Sequence, residues 1–432
     1  MILGAAVLMT ACAGEEEDLF DKSAAERLNE MSSVYAKRLE AQPAGWAMQY
    51  YYAPNEAGYL LLADFSADHS VSLAMNNEFT SNKYMEERSV WDVITDNGPV
   101  LTFNTYNELL HLFSDPSGDF GGDVGTGLGG DYEFIIVDAP EDGSYIMLKG
   151  KKRGAYTLLT PLEEGTDFET YLDDVINFRN TFFSRSAPNS IYLKKNGEVS
   201  QSYTISYNTS NENEMMITPE GKDMVTYGVV NGYLVTKRGG NYYVRFRDDV
   251  NLGDGETSRE FMYDEANDQF VDVANENVVI CSSNVAEYLA ASMAEPHTWT
   301  VKKDQENSEK FFDIISKASS AMTAANRRHR INSVTLAQTE PGVCQLSFNY
   351  GDSKQWARYN FNYQISGDQL SMQFISSDTD GSETIRNKAG VTELVDAFNG
   401  TFTISIYQTA FNMSKMKITS TSDSSLWMVL NY

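Results

Sequence analysis

The sequence predicts a mainly β, α+β chain: antiparallel sheets of barrel or sandwich type in helix-led modules, with about four helices. Three observations lead there. Between the helical stretches, apolar and polar residues alternate with period two. Short turn sequences, Asn196-Gly197, Asn231-Gly232, Gly239-Gly240 and Ser366-Gly367-Asp368, join neighbouring alternating runs, and strands joined so tightly are antiparallel. Aromatic residues reach 12%, with 25 Tyr and 22 Phe, types that suit a pleated, half-buried surface.

The first helix starts at the capping box Ser23-Ala24-Ala25-Glu26, holds Leu28, Met31, Tyr35 and Leu39 at helical spacing, and stops before Pro43. A second begins at Thr166-Asp167-Phe168-Glu169 and turns Tyr171, Leu172, Val175 and Ile176 inward. A short third follows Ser283 with Val285 and Leu289. The fourth runs from about Ser308 through Phe311, Phe312, Ile315 and Met322 to Arg327-Arg328-His329-Arg330, basic residues that suit the negative end of a helix. Among the strands, Tyr359, Phe361, Tyr363 and Ile365 line one face, and Leu370, Met372 and Phe374 return after the turn at 366–368.

Residues 2–11 form a short apolar run ending in Thr10-Ala11, followed by Cys12 and then Ala13-Gly14-Glu15-Glu16-Glu17-Asp18. The run falls short of the about 20 residues a membrane-spanning helix needs, so it reads as a signal h-region with lipidation at Cys12. Acyl chains at about 0.8 kcal/mol per buried methylene would hold the chain to a membrane. The acidic run after the cysteine resembles the surface-export signal of Bacteroidetes lipoproteins, which implies the outer membrane with cell-surface exposure, the periplasmic face being the alternative.

The remainder is too long for one hydrophobic core, since cores stop growing near about 250–300 residues. The expected division is 1–22 signal and acidic tether, 23–165 N-terminal module, 166–294 middle module and 295–432 C-terminal module, with two larger domains joined near 185 or 295 as the alternative. A net charge of −28 repels phosphate backbones and argues against nucleic acid as a partner. Past Cys12 the thiols are Cys281 and Cys344, each inside a strand-like run and without a neighbouring His, and are read as separate core residues.

Six phrases occur in order: Asp18-Leu19-Phe20-Asp21-Lys22-Ser23-Ala24-Ala25-Glu26-Arg27, Ala44-Gly45-Trp46 with Tyr50-Tyr51, Leu101-Thr102-Phe103-Asn104-Thr105-Tyr106-Asn107, His111-Leu112-Phe113-Ser114-Asp115-Pro116, Gly129-Gly130-Asp131-Tyr132-Glu133-Phe134 and Leu148-Lys149-Gly150-Lys151-Lys152. Together they resemble the Bacteroidetes lipoprotein family catalogued as domain of unknown function 4302, most densely over residues 18–162. That resemblance implies a secreted lipoprotein with no assigned catalytic residues, encoded among SusC/SusD-type nutrient-uptake systems.

For chemistry, the stretch from His111 to Glu133 is the richest. Its carboxylates Asp115, Asp119, Asp123, Asp131 and Glu133, among seven glycines, suit calcium's loose oxygen coordination, although their spacing fits no EF-hand. The competing reading is a solvated loop. The Gly125–Gly130 run lacks a Walker lysine, the four histidines form no His-Glu-x-x-His pair, and no Gly-x-Ser-x-Gly elbow occurs. Trp46, Tyr106 and His111 are candidate binding residues, with core packing as the default for a large ring. The leading expectation is a non-catalytic surface lipoprotein that binds glycan or peptide, or assists an uptake complex. The alternatives are a carboxylate-dependent hydrolase and a structural or adhesive protein.

Overall fold

A computed structural model of the 432-residue chain describes residues 22–96, 98–183, 189–207, 212–282, 288, 291–292, 296–351 and 355–432. Cys12, its flanking signal and tether, and most of the helix expected after Ser283, including Val285 and Leu289, lie outside the described residues.

The strands form three closed, eight-stranded, antiparallel barrels. The first comprises β1 (Trp46–Tyr51), β2 (Gly58–Phe65), β3 (Ser70–Met75), β4 (Met85–Thr95), β5 (Pro99–Phe103), β6 (Glu133–Asp138), β7 (Ile146–Gly150) and β8 (Tyr156–Pro161). The second comprises β9 (Asn189–Lys195), β10 (Glu198–Tyr207), β11 (Glu214–Pro219), β12 (Val229–Arg238), β13 (Asn241–Asn251), β14 (Thr257–Asp264), β15 (Gln269–Asp272) and β16 (Val278–Ser282). The third comprises β17 (Thr298–Val301), β18 (Ile331–Glu340), β19 (Val343–Tyr350), β20 (Gln355–Ser366), β21 (Gln369–Ser377), β22 (Gly400–Ile406), β23 (Lys415–Ser420) and β24 (Trp427–Asn431). Each barrel closes first strand on last, with Trp46 opposite Pro161, Ile191 opposite Ile280 and Thr300 opposite Asn431.

Turn chemistry sets much of the register. Asn196 and Gly197, at φ +54° and +84°, join Lys195 to its partner Glu198, a two-residue hairpin with both central residues left-handed. Gly239 and Gly240 do the same between Arg238 and Asn241. The β20–β21 hairpin pairs Phe361 with Phe374, Tyr363 with Met372 and Ile365 with Leu370. Asn231-Gly232, expected as a turn, instead lies inside β12. Asn231 is buried there and its amide exchanges hydrogen bonds with the main chain of Asp248, so the side chain stabilises a strand rather than reversing it.

Seven helices occur among the described residues, where the sequence suggested about four. α1 (Ala24–Glu40) has the expected capping box. Leu39 is buried, but Met31 faces outward at 43% exposure and Ser32 takes the inner position. α2 (Glu108–His111) is a single turn. α3 (Phe168–Phe182) is capped by Asp167, whose Oδ1 accepts from Thr170 N at 2.9 Å, and buries Tyr171, Leu172, Val175 and Phe178. α4 (Met224–Tyr227) is again one turn. α5 (Glu309–Ala325) starts at Ser308 as expected but ends before the basic cluster. Asn326 turns extended there and its Oδ1 accepts from Arg328 N, so Arg327–Arg330 form a turn beyond the helix. α6 (Asp380–Arg386) and α7 (Ala389–Asp396) complete the set.

Two compact units divide the chain: most of the first barrel lies in one, and the second and third barrels share the other. In the first barrel, Tyr50 of β1 meets Phe134 of β6 at 6.0 Å and Phe65 of β2 meets Phe103 of β5 at 6.3 Å. These strands are not neighbours, so the contacts cross the lumen, and side chains fill it as eight strands allow. Phe311, Ile315 and Met322 of α5 and Val391 and Leu394 of α7 join the core of the third barrel. Between the second and third barrels, Asp268 accepts hydrogen bonds from Thr409 Oγ1 and Ala410 N, both at 2.7 Å, and Phe411 packs on Phe270. Cys281 and Cys344 are free and sit in different barrels. Cys344 is buried and Cys281 half-buried, and desolvation pushes the Cys281 thiol up to about 11 and the Cys344 thiol up to about 12, which suits inert residues.

Candidate functional site: a basic cleft on the first barrel

Strands alternate in direction, so the β5–β6 and β7–β8 connections emerge at the same end of the first barrel. Between them lies a cleft of about 400 Å³, within the range of small-ligand sites. One wall comes from the long β5–β6 connection through Ser114, Thr126, Gly129, Gly130, Asp131 and Tyr132, and Glu133 at the start of β6 adds to it. Lys151, Lys152 and Arg153 of the β7–β8 turn form the other.

The long connection is folded tightly on itself. Gly125 N donates to Pro116 O at 2.7 Å, and Gly127 N to Asp123 O at 2.8 Å. Gly127 has φ +59°, and a Cβ there would stand 1.8 Å from Asp115 O, so no other residue fits without moving the backbone.

Asp131 holds the opposite wall. Its side chain is buried, with Oδ1 accepting from Lys152 N at 3.0 Å and Oδ2 from Arg153 N at 2.7 Å. Its carbonyl accepts from Tyr50 Oη at 3.1 Å. Charge-assisted bonds of this kind are stronger than neutral ones and fix the turn. Lys151 is neutralised from two sides, by Asp96 at 2.9 Å and Glu133 at 3.1 Å, and these carboxylates raise its pKa. Lys152 and Arg153 have no ion-pair partner among the described residues. The guanidinium of Arg153 lies against Gly129, where an added Cβ would stand 3.1 Å from Nη2 and 3.2 Å from Cζ.

An aromatic row borders the cleft. The ring of His111 lies between Tyr106, at 5.0 Å, and Tyr132, at 4.8 Å and 25°. Tyr106 is 61% and Tyr132 42% exposed, and burial between them lowers the pKa of His111. Asn107 N donates to His111 Nδ1 at 3.1 Å.

The residues expected from sequence fare differently. Tyr106 and His111 come together, and Tyr132, not anticipated, completes their row. Trp46 is a core residue with no exposed surface, its Nε1 donating to Leu39 O at 2.9 Å. The five carboxylates proposed for calcium do not converge: Asp131 binds main-chain amides, Glu133 pairs with Lys151, and Asp115 caps Ser117 N, which keeps its carboxyl below the usual range. Asp119 and Asp123 are exposed. Among the described residues, no three His, Cys, Asp or Glu side chains gather as a metal site. The three consecutive cations were visible in the sequence and stood out against a charge of −28, but nothing there tied them to Asp131, two strands away.

A family model described as Domain of unknown function (DUF4302) matches residues 16–265. No curated protein matches. Among solved structures, a mutant of the vaccine antigen Transferrin Binding Protein B (TbpB) from Haemophilus parasuis Hp5 aligns at 9% identity over 87% of this chain. The chain covers 66% of that protein, just under two thirds, with a TM-score of 0.14.

Proposed function

We propose that this chain, which belongs to the DUF4302 family, is a non-catalytic binding or accessory protein of an outer-membrane nutrient-uptake system, offering the cleft of its first barrel to a glycan or peptide. The observation that supports this best is the cleft itself: a volume of about 400 Å³ with hydroxyls, cations and an exposed tyrosine on its walls. Its two carboxylates are engaged, Asp131 by main-chain amides and Glu133 by Lys151, which favours recognition over bond cleavage. A glycan and peptide array probed with the full chain is the test. Saturable binding to one ligand class, weakened by Tyr132→Ala, is expected, and silence across both libraries would refute the role.

In the same reading, acyl chains on Cys12 hold the protein on the outer membrane, facing outward beside a SusC/SusD-type transporter. Among the described residues no helix is long and apolar enough to cross a membrane. In cells fed labelled palmitate, the wild-type chain is expected to take up label and Cys12→Ala to lose it. Equal labelling of the two would place the lipid elsewhere or remove it from the account.

A further inference from the structure

A chain of net charge −28 in which two adjacent cations on the wall of a cleft have no ion-pair partner among the described residues has a place for negative charge. We infer that this cleft binds an anionic sugar, its carboxylate or sulfate held between Lys152 and Arg153 and its ring laid against Tyr132. The inference rests on the binding role proposed above and names the ligand class of that site.

The site is built before a ligand arrives. Asp131 fixes the main chain at Lys152 and Arg153, so the turn that carries both cations is already ordered. Gly129 lets the guanidinium of Arg153 rest flat against the backbone, which limits the side-chain freedom lost on binding. A planar guanidinium matches a carboxylate or sulfate through paired N–H donors, and an ammonium beside it adds a compact charge. Lys151 is already saturated by Asp96 and Glu133, so the free donors are those of its two successors.

The rest of the wall favours a sugar over an acidic peptide. Ser114 and Thr126 supply hydroxyls, and Gly129 and Gly130 supply main chain, and no aliphatic side chain is among the described residues that line the cleft. Tyr132 presents a large exposed ring, backed by His111 and Tyr106. The negative face of an aromatic ring attracts the positive C–H edges that line one side of a pyranose. The surrounding negative charge disfavours densely charged polymers, whose charges beyond the cleft meet repulsion, so a short and sparsely charged saccharide fits best.

Titration calorimetry on the full chain tests this with four probes: an aldobiouronic acid, its carboxyl-reduced neutral counterpart, a monosulfated disaccharide and a triglutamate peptide. The acidic or the sulfated disaccharide should bind at least about 10-fold more tightly than the neutral one. The double variant Lys152→Gln with Arg153→Gln should weaken that binding about 10- to 100-fold, with unchanged thermal unfolding because both side chains are exposed. Tyr132→Ala should weaken acidic and neutral sugars alike, and added salt should weaken only the charged ones. Equal affinity for acidic and neutral sugars, sensitive to Tyr132→Ala alone, would overturn the charge assignment and leave glycan binding standing. Preference for triglutamate would overturn the sugar. No binding by any probe, set against a hit on the array, would overturn this inference alone, and silence in both experiments would remove the binding role with it.

Discussion

Replacing Trp46 with alanine is expected to destabilise the first barrel by about 3–5 kcal/mol, the cost of emptying a large, fully buried ring site. The side chain has no exposed surface, and its indole N–H holds the last turn of α1 through Leu39 O. Both the packing of the buried ring and the tie between helix and strand are therefore lost together. Urea unfolding is the measurement, and a loss below about 1 kcal/mol would contradict the burial described. Trp46→Phe retains most of the ring and should recover more than half of the deficit. Ligand affinity of the folded variant should be unchanged, because Trp46 does not line the cleft.

Asp268→Ala should cost about 2–4 kcal/mol and split the unfolding of the second and third barrels into separate steps. Asp268 sits between β14 and β15 at φ +47° and accepts three hydrogen bonds, from Tyr263 Oη, Thr409 Oγ1 and Ala410 N. Two of the three cross to the third barrel. Bonds to a charged group contribute about 1.5–3 kcal/mol each when a partner is deleted, and water recovers part of that at a half-exposed site. The same carboxylate, after burial, keeps the Tyr263 phenol protonated far above its usual range. Calorimetry should show one transition for wild type and a resolved shoulder for Asp268→Ala. Asp268→Asn keeps an acceptor and tolerates the left-handed backbone, so it should fall between the two. A single unshifted transition in Asp268→Ala would assign the coupling to the remaining contacts, Phe411 on Phe270 and Phe182 and Asn412 on Asn180.

Local chemistry made much of the fold legible. Two left-handed residues in succession at Asn196-Gly197 and at Gly239-Gly240 leave a hairpin as the natural outcome, and the capping box at Ser23 specifies a helix start without tertiary help. The errors have tertiary causes. Asn231-Gly232 has the composition of a turn, but Asp248 supplies a partner across the sheet that only the fold provides. The helices from Asp380 and Ala389 are short and contain Gly381 and Gly390, residues that weaken a helical pattern. Gly390 is there for packing: a Cβ would stand 2.8 Å from Lys317 O on α5, so the helices touch where the glycine lies. The candidate site was legible only in part. Tyr106 and His111 lie close in sequence, at the two ends of the short α2, whereas the cation wall depends on Asp131 reaching across β6 and β7, which no spacing rule encodes.

Closing each barrel first strand on last has a consequence for biogenesis. While the chain is being made, the early strands of a barrel hold an open edge of unpaired N–H and C=O groups, the template on which other strands add. That edge is satisfied only when a partner far along the chain emerges: Trp46 waits for Pro161, and Thr300 waits for Asn431. Non-local seams of this kind fold slowly. A chain truncated before Asn431 would leave Thr300 without its seam partner, and a chain of this design has most need of a chaperone at its open edges in the interval before each seam closes.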